Sequence, residues 1–324
     1  MKSIYLLSSL TNFKDYIKFG SGTDYDHVAE RLLASATWEV ERYCKRKLRG
    51  RTYGANGLSA EYQNGNGKSR LYTNQYPIIS VTELYDDPER DFGSDTLKTS
   101  TDYYIFSEQG VIQLNADAVL GTVFGGGKAN IKLIYTAGYD EFQIIDDTND
   151  RIDFQESDGG SVLTANLEGG IYTSLSLATH IATQMDSAGG DTYTVTYNYQ
   201  TSKFTIASDG SYLKLLWNTG TNAYRTICQT IGFRDTADSE DNAAAITLTA
   251  NDSVLGIPED LEQACLEITE RMWQKSKLGA GRFDKESEQL QGGMGGSLKW
   301  NKDPMPPHVK SILNKYKRMS IIED

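Results

Sequence analysis

The residues able to do chemistry in this chain are mostly carboxylates, and their spacing defines no familiar reaction. Three histidines, His27, His180 and His308, stand far apart, and none adjoins a serine or cysteine in a nucleophile motif. The sequence contains no G-x-S-x-G elbow, no P-loop and no H-E-x-x-H pair. The glycine clusters complete no phosphate-binding pattern, so they read as turns. Asp146, Asp147, Asp150 and Asp153 raise the question of a calcium loop, but the sixth-position glycine and twelfth-position glutamate of an EF-hand are missing. Asp235, Asp238, Glu240 and Asp241 raise it again, and both runs read as solvated acidic faces. A carboxylate pair could hydrolyse a glycosidic bond, yet 17 acids fall between residues 140 and 252 and nothing singles out two. The reading is a non-enzyme, with no catalytic residue, metal or cofactor assigned.

Two basic clusters are the better candidates for a binding role. Lys45, Arg46, Lys47, Arg49 and Arg51 follow a helical stretch, where cations suit the negative end of the helix dipole. They could equally meet an acidic protein surface or DNA phosphate. Lys310, Lys315, Lys317 and Arg318 form the polar side of a short C-terminal helix whose apolar side carries Val309, Ile312, Leu313 and Tyr316. Trp300 sits in a polar stretch and suits an interface anchor, whereas Trp273 reads as core. Cys44, Cys228 and Cys265 are too scattered for a disulfide framework or a zinc site, which makes a reducing cytosol the default compartment. The opening MKSIYLLSSL is too short in its apolar run for a signal peptide, and no stretch approaches the ~20 apolar residues of a membrane span.

The elements that must position these residues divide along a charge step. The net charge of −12 arises from 44 acids and 32 bases. Residues 140–252 hold 17 acids and 5 bases, so the whole net charge lies there; the flanks are balanced, with 16 of each in 1–139 and 11 of each in 253–324. Such a step marks an inserted unit between two parts of one protein. In the first flank, Leu10, Phe13, Tyr16 and Ile17 have helical spacing. A longer helix, capped by Thr23 or Asp24, carries Val28, Leu32, Ala36, Val40 and Cys44 on one stripe. From about residue 52 the period becomes two, predicting strands at 59–63, 69–74, 80–86, 102–107, 110–115 and 129–137, with Asn64-Gly65-Asn66-Gly67 as a hairpin turn. The acidic block predicts a helix from Ser174 through Leu177, Ile181 and Met185. Strands are expected around Tyr193–Tyr197, Lys203–Ile206, Tyr212–Trp217 and Ala245–Thr249. A last flank offers a helix with Leu261, Cys265, Ile268 and Met272, then a Gly-rich segment at 279–297 expected to order only on a partner.

With the acidic block set aside, Ile134-Tyr135-Thr136-Ala137-Gly138-Tyr139 runs into Ile257-Pro258-Glu259-Asp260-Leu261-Glu262-Gln263-Ala264. These flanks resemble bacteriophage head–tail connector proteins, the adaptor or head-completion family that forms a ring beneath the portal. The resemblance rests on the Tyr43-Cys44-Lys45-Arg46 stretch, the Asp102 to Gly110 segment, the Y-T-A-G-Y strand end, the I-P-x-D-L helix and the basic tail, in that order. It covers about residues 8–139 and 253–320.

The resemblance implies an α+β fold: a helical adaptor body with a small antiparallel β-sheet, plus an inserted β-rich α+β domain. The expected division is 1–139 and 253–278 as the two parts of the adaptor core, 140–252 as the inserted acidic domain, and 279–324 as a flexible segment with a C-terminal docking helix. It further implies a homo-oligomeric ring, twelvefold like the portal, assembled in the host cytoplasm and located in the neck of the virion. Its partners would be the portal and a tail-completion or tail terminator protein, with DNA passing through the lumen without sequence-specific binding and no membrane contact. Portal docking would then fall to Trp300, Lys310, Ile312, Leu313, Tyr316, Lys317 and Arg318, and the Lys45–Arg51 cluster would touch portal or DNA. Two rival readings stand beside it: a host-surface or carbohydrate-binding structural protein acting through the acidic block, and a hydrolase.

Overall fold

Helices form where the sequence supplies caps and apolar stripes, and strands form where it alternates. In a computed structural model, which describes residues 5–19, 22–55, 58–243, 245–276 and 305–318, Ser9 accepts the N–H of Asn12 and starts α1, Leu10–Tyr16. Helix α2, Asp26–Cys44, buries Ala29, Leu33, Ala36, Val40 and Cys44. Seven strands follow: β1 (Arg51–Tyr53), β2 (Glu61–Gly65), β3 (Arg70–Tyr72), β4 (Ile78–Asp86), β5 (Tyr103–Phe106), β6 (Val111–Leu114) and β7 (Gly127–Ala137). Nine more come after Asp140: β8 (Phe142–Ile144), β9 (Arg151–Gln155), β10 (Leu163–Asn166), β11 (Gly170–Tyr172), β12 (Tyr193–Asn198), β13 (Lys203–Ser208), β14 (Leu213–Leu215), β15 (Ser239–Asp241) and β16 (Ile246–Thr249). Among them runs α3, Ser174–Ala188; α4, Glu259–Lys275, and α5, Pro307–Asn314, complete the order.

The chain divides into two compact units. One comprises Met1–Val40 with Asp140–Lys315; the other comprises Glu41–Tyr139 with Tyr316–Asp324. In the second unit, β7 is the central strand. β1 pairs with its end at Tyr135–Ala137, β2 pairs farther back along it, and β4 also pairs with it. A separate sheet has the order β3-β6-β5. Leu71, Leu84, Ile112, Leu114, Phe124, Ile131, Leu133 and Tyr135 make the core of this unit.

The first unit holds the remaining sheets, β10-β9-β14-β15, β11-β8 and β12-β13-β16. Helix α3 starts on a capping box between Thr173 and Ser176 and buries Leu177, Ile181 and Met185. Those side chains join Phe142, Phe154, Phe204, Leu215, Trp217 and Phe233 in a core whose buried members all lie between residues 142 and 250. The chain leaves and re-enters this region at one place, for the Glu141 N–H donates to the Gly256 carbonyl at 2.8 Å. A smaller cluster of Phe13, Ala29, Leu33, Leu266 and Trp273 joins α1, α2 and α4. Trp273 is buried there, with Phe19 edge-on at 5.3 Å.

The expected α+β fold, a helical adaptor body with a small sheet and an inserted domain, is overturned. The described residues form sixteen strands in five sheets, with every strand pairing antiparallel, against five α-helices. The fold is mostly β. The physical reason lies in where apolar side chains go: the alternating stretches of residues 61–137 bury a full sheet core of their own, while α1, α2 and α4 together contribute only a small cluster. The expected hairpin at Asn64–Gly67 is also corrected. β2 pairs with β7 and β3 with β6, so the turn links two different sheets. Gly65 is required there for close approach, since a Cβ would fall 1.6 Å from the Gly125 carbonyl oxygen. The Gly279–Ser297 segment and Trp300 lie outside the described residues.

Candidate functional site

Three of the resemblance motifs, the Tyr43–Arg46 stretch, the Y-T-A-G-Y strand end and the end of the basic tail, meet at Arg46 in the second unit, and the Asp102 to Gly110 segment does not. Helix α2 ends at Cys44, and Lys45 turns the chain with φ +56°. Arg46 follows at 4% exposure. Its Nε donates to the Tyr316 carbonyl at 2.7 Å, Nη1 donates to the Tyr76 carbonyl, and Nη2 donates to the Tyr139 hydroxyl at 3.2 Å. The guanidinium also lies 3.9 Å from the centre of the Tyr76 ring. Tyr139 stacks edge-on against Tyr316 at 5.6 Å. Burial pushes the Tyr139 hydroxyl above its ordinary pKa, and the Arg46 charge opposes that rise.

Backbone bonds fix the same junction. Tyr139 donates to the Leu48 carbonyl at 2.7 Å, and Gly50 donates to the Tyr139 carbonyl at 2.8 Å. Between them Gly138 has φ +112°, and a Cβ there would stand 2.7 Å from the backbone carbonyl of Arg49. The glycine of the Y-T-A-G-Y strand end is therefore set by a close backbone approach. The tail closes the site. Arg318 donates its N–H to the Cys44 carbonyl at 2.8 Å and its Nη2 to Asn74 at 2.7 Å. Lys317 places its Nζ 5.3 Å from the Tyr43 ring centre, and its carbonyl accepts from the Tyr76 hydroxyl.

The other expected contact residues fall into two groups. Arg49 and Arg51 are buried. Arg51 pairs with Glu41, which also holds the Lys47 Nζ at 2.7 Å. Lys45 is exposed and Lys47 partly so, which leaves lysines rather than arginines facing solvent. Tyr316, Lys317 and Arg318 join Tyr43–Arg46 in the second unit. Lys310, Ile312 and Leu313 stay on α5 in the first, where Leu313 is fully buried and Lys310 and Ile312 are half-buried. Tyr76 and Asn74 were not legible as site residues, because no spacing ties them to Arg46, 30 residues away, or to Arg318, 244 residues away; Glu41, on the preceding helix, reads as an ordinary helix acid.

The acidic block is occupied by its own backbone and arginines. Asp150 is buried and accepts from Arg225 Nε at 2.8 Å and Arg151 Nη1 at 2.9 Å. The Arg225 bonds hold its carboxyl below the usual range, against the effect of burial. Asp153 accepts from Thr164 at 2.7 Å and from the Asn222 N–H at 2.7 Å. Asp238 and Asp241 each accept backbone N–H groups of nearby loops. Among the described residues, no group of three or more His, Cys, Asp or Glu side chains is arranged to hold a metal ion, and no helix is long and apolar enough to cross a membrane. His180 accepts the Glu168 N–H at 3.0 Å and stacks on Tyr172; His308 pairs with Glu267. The Ser174 hydroxyl bonds Asp140 at 2.8 Å and Tyr199 at 2.8 Å, a knot that ties the start of α3.

No family model matches the chain, and no curated protein matches it. A chain of a solved structure described as the neck of an empty GTA particle computed with C6 symmetry is 20% identical over 41% of this chain and 66% of that one, with a TM-score of 0.29. The match thus spans just under two thirds of the neck chain, a partial and weak likeness.

Proposed function

We propose that the chain is a virion structural protein that forms a ring-shaped adaptor in the neck, between the portal and the tail or tail-completion proteins. DNA would pass through the lumen without sequence-specific contact, and the protein would carry out no catalysis. The observation that carries this reading is the convergence at Arg46. Three stretches that resemble the connector family, Tyr43–Arg46, the Y-T-A-G-Y strand end and the basic tail, are distant in sequence and share one hydrogen-bonded junction. Function in such a protein is geometric: head-to-tail contacts close a ring whose rotation matches its partner.

Exposed Lys45 and Lys317 are the charges left for an acidic portal surface, since the arginines of the cluster are buried and Lys47 is held by Glu41. Reversing Lys45 and Lys317 to glutamate should weaken binding to the cognate portal and remove most of its salt dependence. Portal binding that is unaltered by both reversals would exclude this docking face. At the level of the particle, loss of the gene should leave DNA-filled heads without joined tails; normal virions would refute the function.

A further inference from the structure

The sheet β3-β6-β5 has two unlike edges. On β3, the outward carbonyls of Arg70 and Tyr72 are capped by Asn66 Nδ2 at 3.3 Å and Gln63 Nε2 at 2.7 Å. On β5 nothing comparable exists among the described residues. Leu114 gives its N–H to the Ser69 carbonyl and so faces β3. Alternation along the β5–β6 pair then aims Asp102, Tyr104 and Phe106 at β6, and the Asn115 N–H on the Asp102 carbonyl agrees. The N–H and C=O of Tyr103 and Ile105 therefore point out of the sheet, with no partner among the described residues.

The side chains on this edge are apolar. One face of the sheet, with Leu71, Ile112, Leu114 and Tyr103, is core. The opposite face carries Tyr72, Tyr104 and Phe106, which are 38%, 64% and 45% exposed, and Ile105 on the core side is 40% exposed. Val119, 88% exposed, is held beside the start of β5 by its N–H on Asp102 Oδ1 at 3.1 Å. Natural edge strands are usually blunted by charge, proline or a bulge. β5 has none of these, whereas β3 is capped.

We propose that β5 pairs antiparallel with β5 of a second copy of this chain, about a two-fold axis at Tyr104. The match is self-complementary. Outward groups at Tyr103 and Ile105 are two residues apart, so Tyr103 exchanges both bonds with the partner's Ile105, and Ile105 does so with the partner's Tyr103. Ile105 is then covered by the partner's Tyr103, the two Tyr104 rings meet across the axis, and Phe106 lands opposite the partner's Asp102, beside the partner's Val119. One contact thus buries Tyr104, Ile105, Phe106 and Val119, and yields a continuous six-stranded sheet. A β5-to-β3 contact, which would propagate without closing, is blocked by the Gln63 and Asn66 caps. The pairing is isologous and separate from the head-to-tail contacts of a ring, so it stands or falls apart from the function proposed above.

The test uses the full chain. Opposed Tyr104 residues form a non-hydrogen-bonded pair with Cα atoms about 4.5 Å apart, within disulfide range, and the native thiols are all buried. Under mild oxidation Tyr104→Cys should give covalent dimers at least tenfold faster than Tyr62→Cys, a control at an exposed position on β2. In sedimentation, Tyr104→Lys should raise the dimer dissociation constant at least tenfold, and Tyr104→Phe should leave it unchanged. Cross-linking of Tyr104→Cys no faster than the control would overturn the pairing. So would a wild-type chain that stays monomeric while a strand of another protein occupies β5.

Discussion

Replacing Arg46 by methionine keeps the length of the side chain and removes every donor at the junction. Two backbone carbonyls, of Tyr316 and Tyr76, lose a charged donor, and the Tyr139 hydroxyl loses its partner. Hydrogen bonds to charged groups contribute about 1.5–3 kcal/mol each, and the stacking of the guanidinium on Tyr76 adds about 1 kcal/mol. Against this, methionine avoids the cost of keeping a guanidinium at 4% exposure. A net loss of about 3 kcal/mol is expected. In a unit of about 100 residues, that lowers the melting temperature by roughly 12–24 °C. The assay can isolate the unit concerned. The described tryptophans, Trp38, Trp217 and Trp273, belong to the other unit. Tryptophan emission therefore serves as the internal reference, and hydrogen exchange of β7 peptides reports the unit that holds Arg46. Exchange in β7 should accelerate strongly while tryptophan emission melts near its wild-type temperature, and Arg46→Lys should fall between. A change below about 0.5 kcal/mol would show Arg46 to be an ordinary surface residue, and the junction would then bind nothing together.

Three further outcomes follow from the same structure. Gly138→Ala should destabilise the second unit by more than about 2 kcal/mol, because φ +112° and a 2.7 Å approach to the Arg49 backbone leave a methyl no place; thermal unfolding checks it. Asp150 has a folded pKa below the ordinary carboxylate value of about 4, so the stability it contributes is complete above that value and is lost as pH falls through the folded pKa. Acid unfolding followed by tryptophan emission should accordingly be less pH-dependent below about pH 4 in Asp150→Asn, which should also be less stable at neutral pH. Burial pushes the Cys44 and Cys228 thiols up to about 12, so neither should react with a thiol reagent at pH 8 until the chain unfolds; rapid native labelling would contradict their burial.

Local structure was largely legible in the sequence, and its assembly was not. The stripe through Leu177, Ile181 and Met185 became the buried side of α3, and the period-two stretches 59–63, 69–74, 80–86, 102–107, 110–115 and 129–137 each hold a strand. Alternation states that a strand has a buried face without naming its neighbour, which is why Asn64–Gly67 reads as a hairpin although its flanking strands join different sheets. The same limit hid the fold class. Helical stripes are conspicuous over 26–44 and 259–275, yet most buried apolar side chains sit on short strands whose pairing is non-local. At the candidate site, Arg46, Tyr139 and Tyr316 carry motifs that sequence can mark. Tyr76 and Asn74 enter only because the chain folds back, and the buried state of Arg49 and Arg51 cannot be told from a basic run that looks solvated.

The central claim is that this chain closes into a ring that matches a portal. Negative-stain images of the full chain mixed with its cognate portal test it most directly. The account predicts closed rings with the portal's rotational symmetry seated on the portal; particles that remain monomers or two-fold pairs, with bare portals beside them, would contradict it.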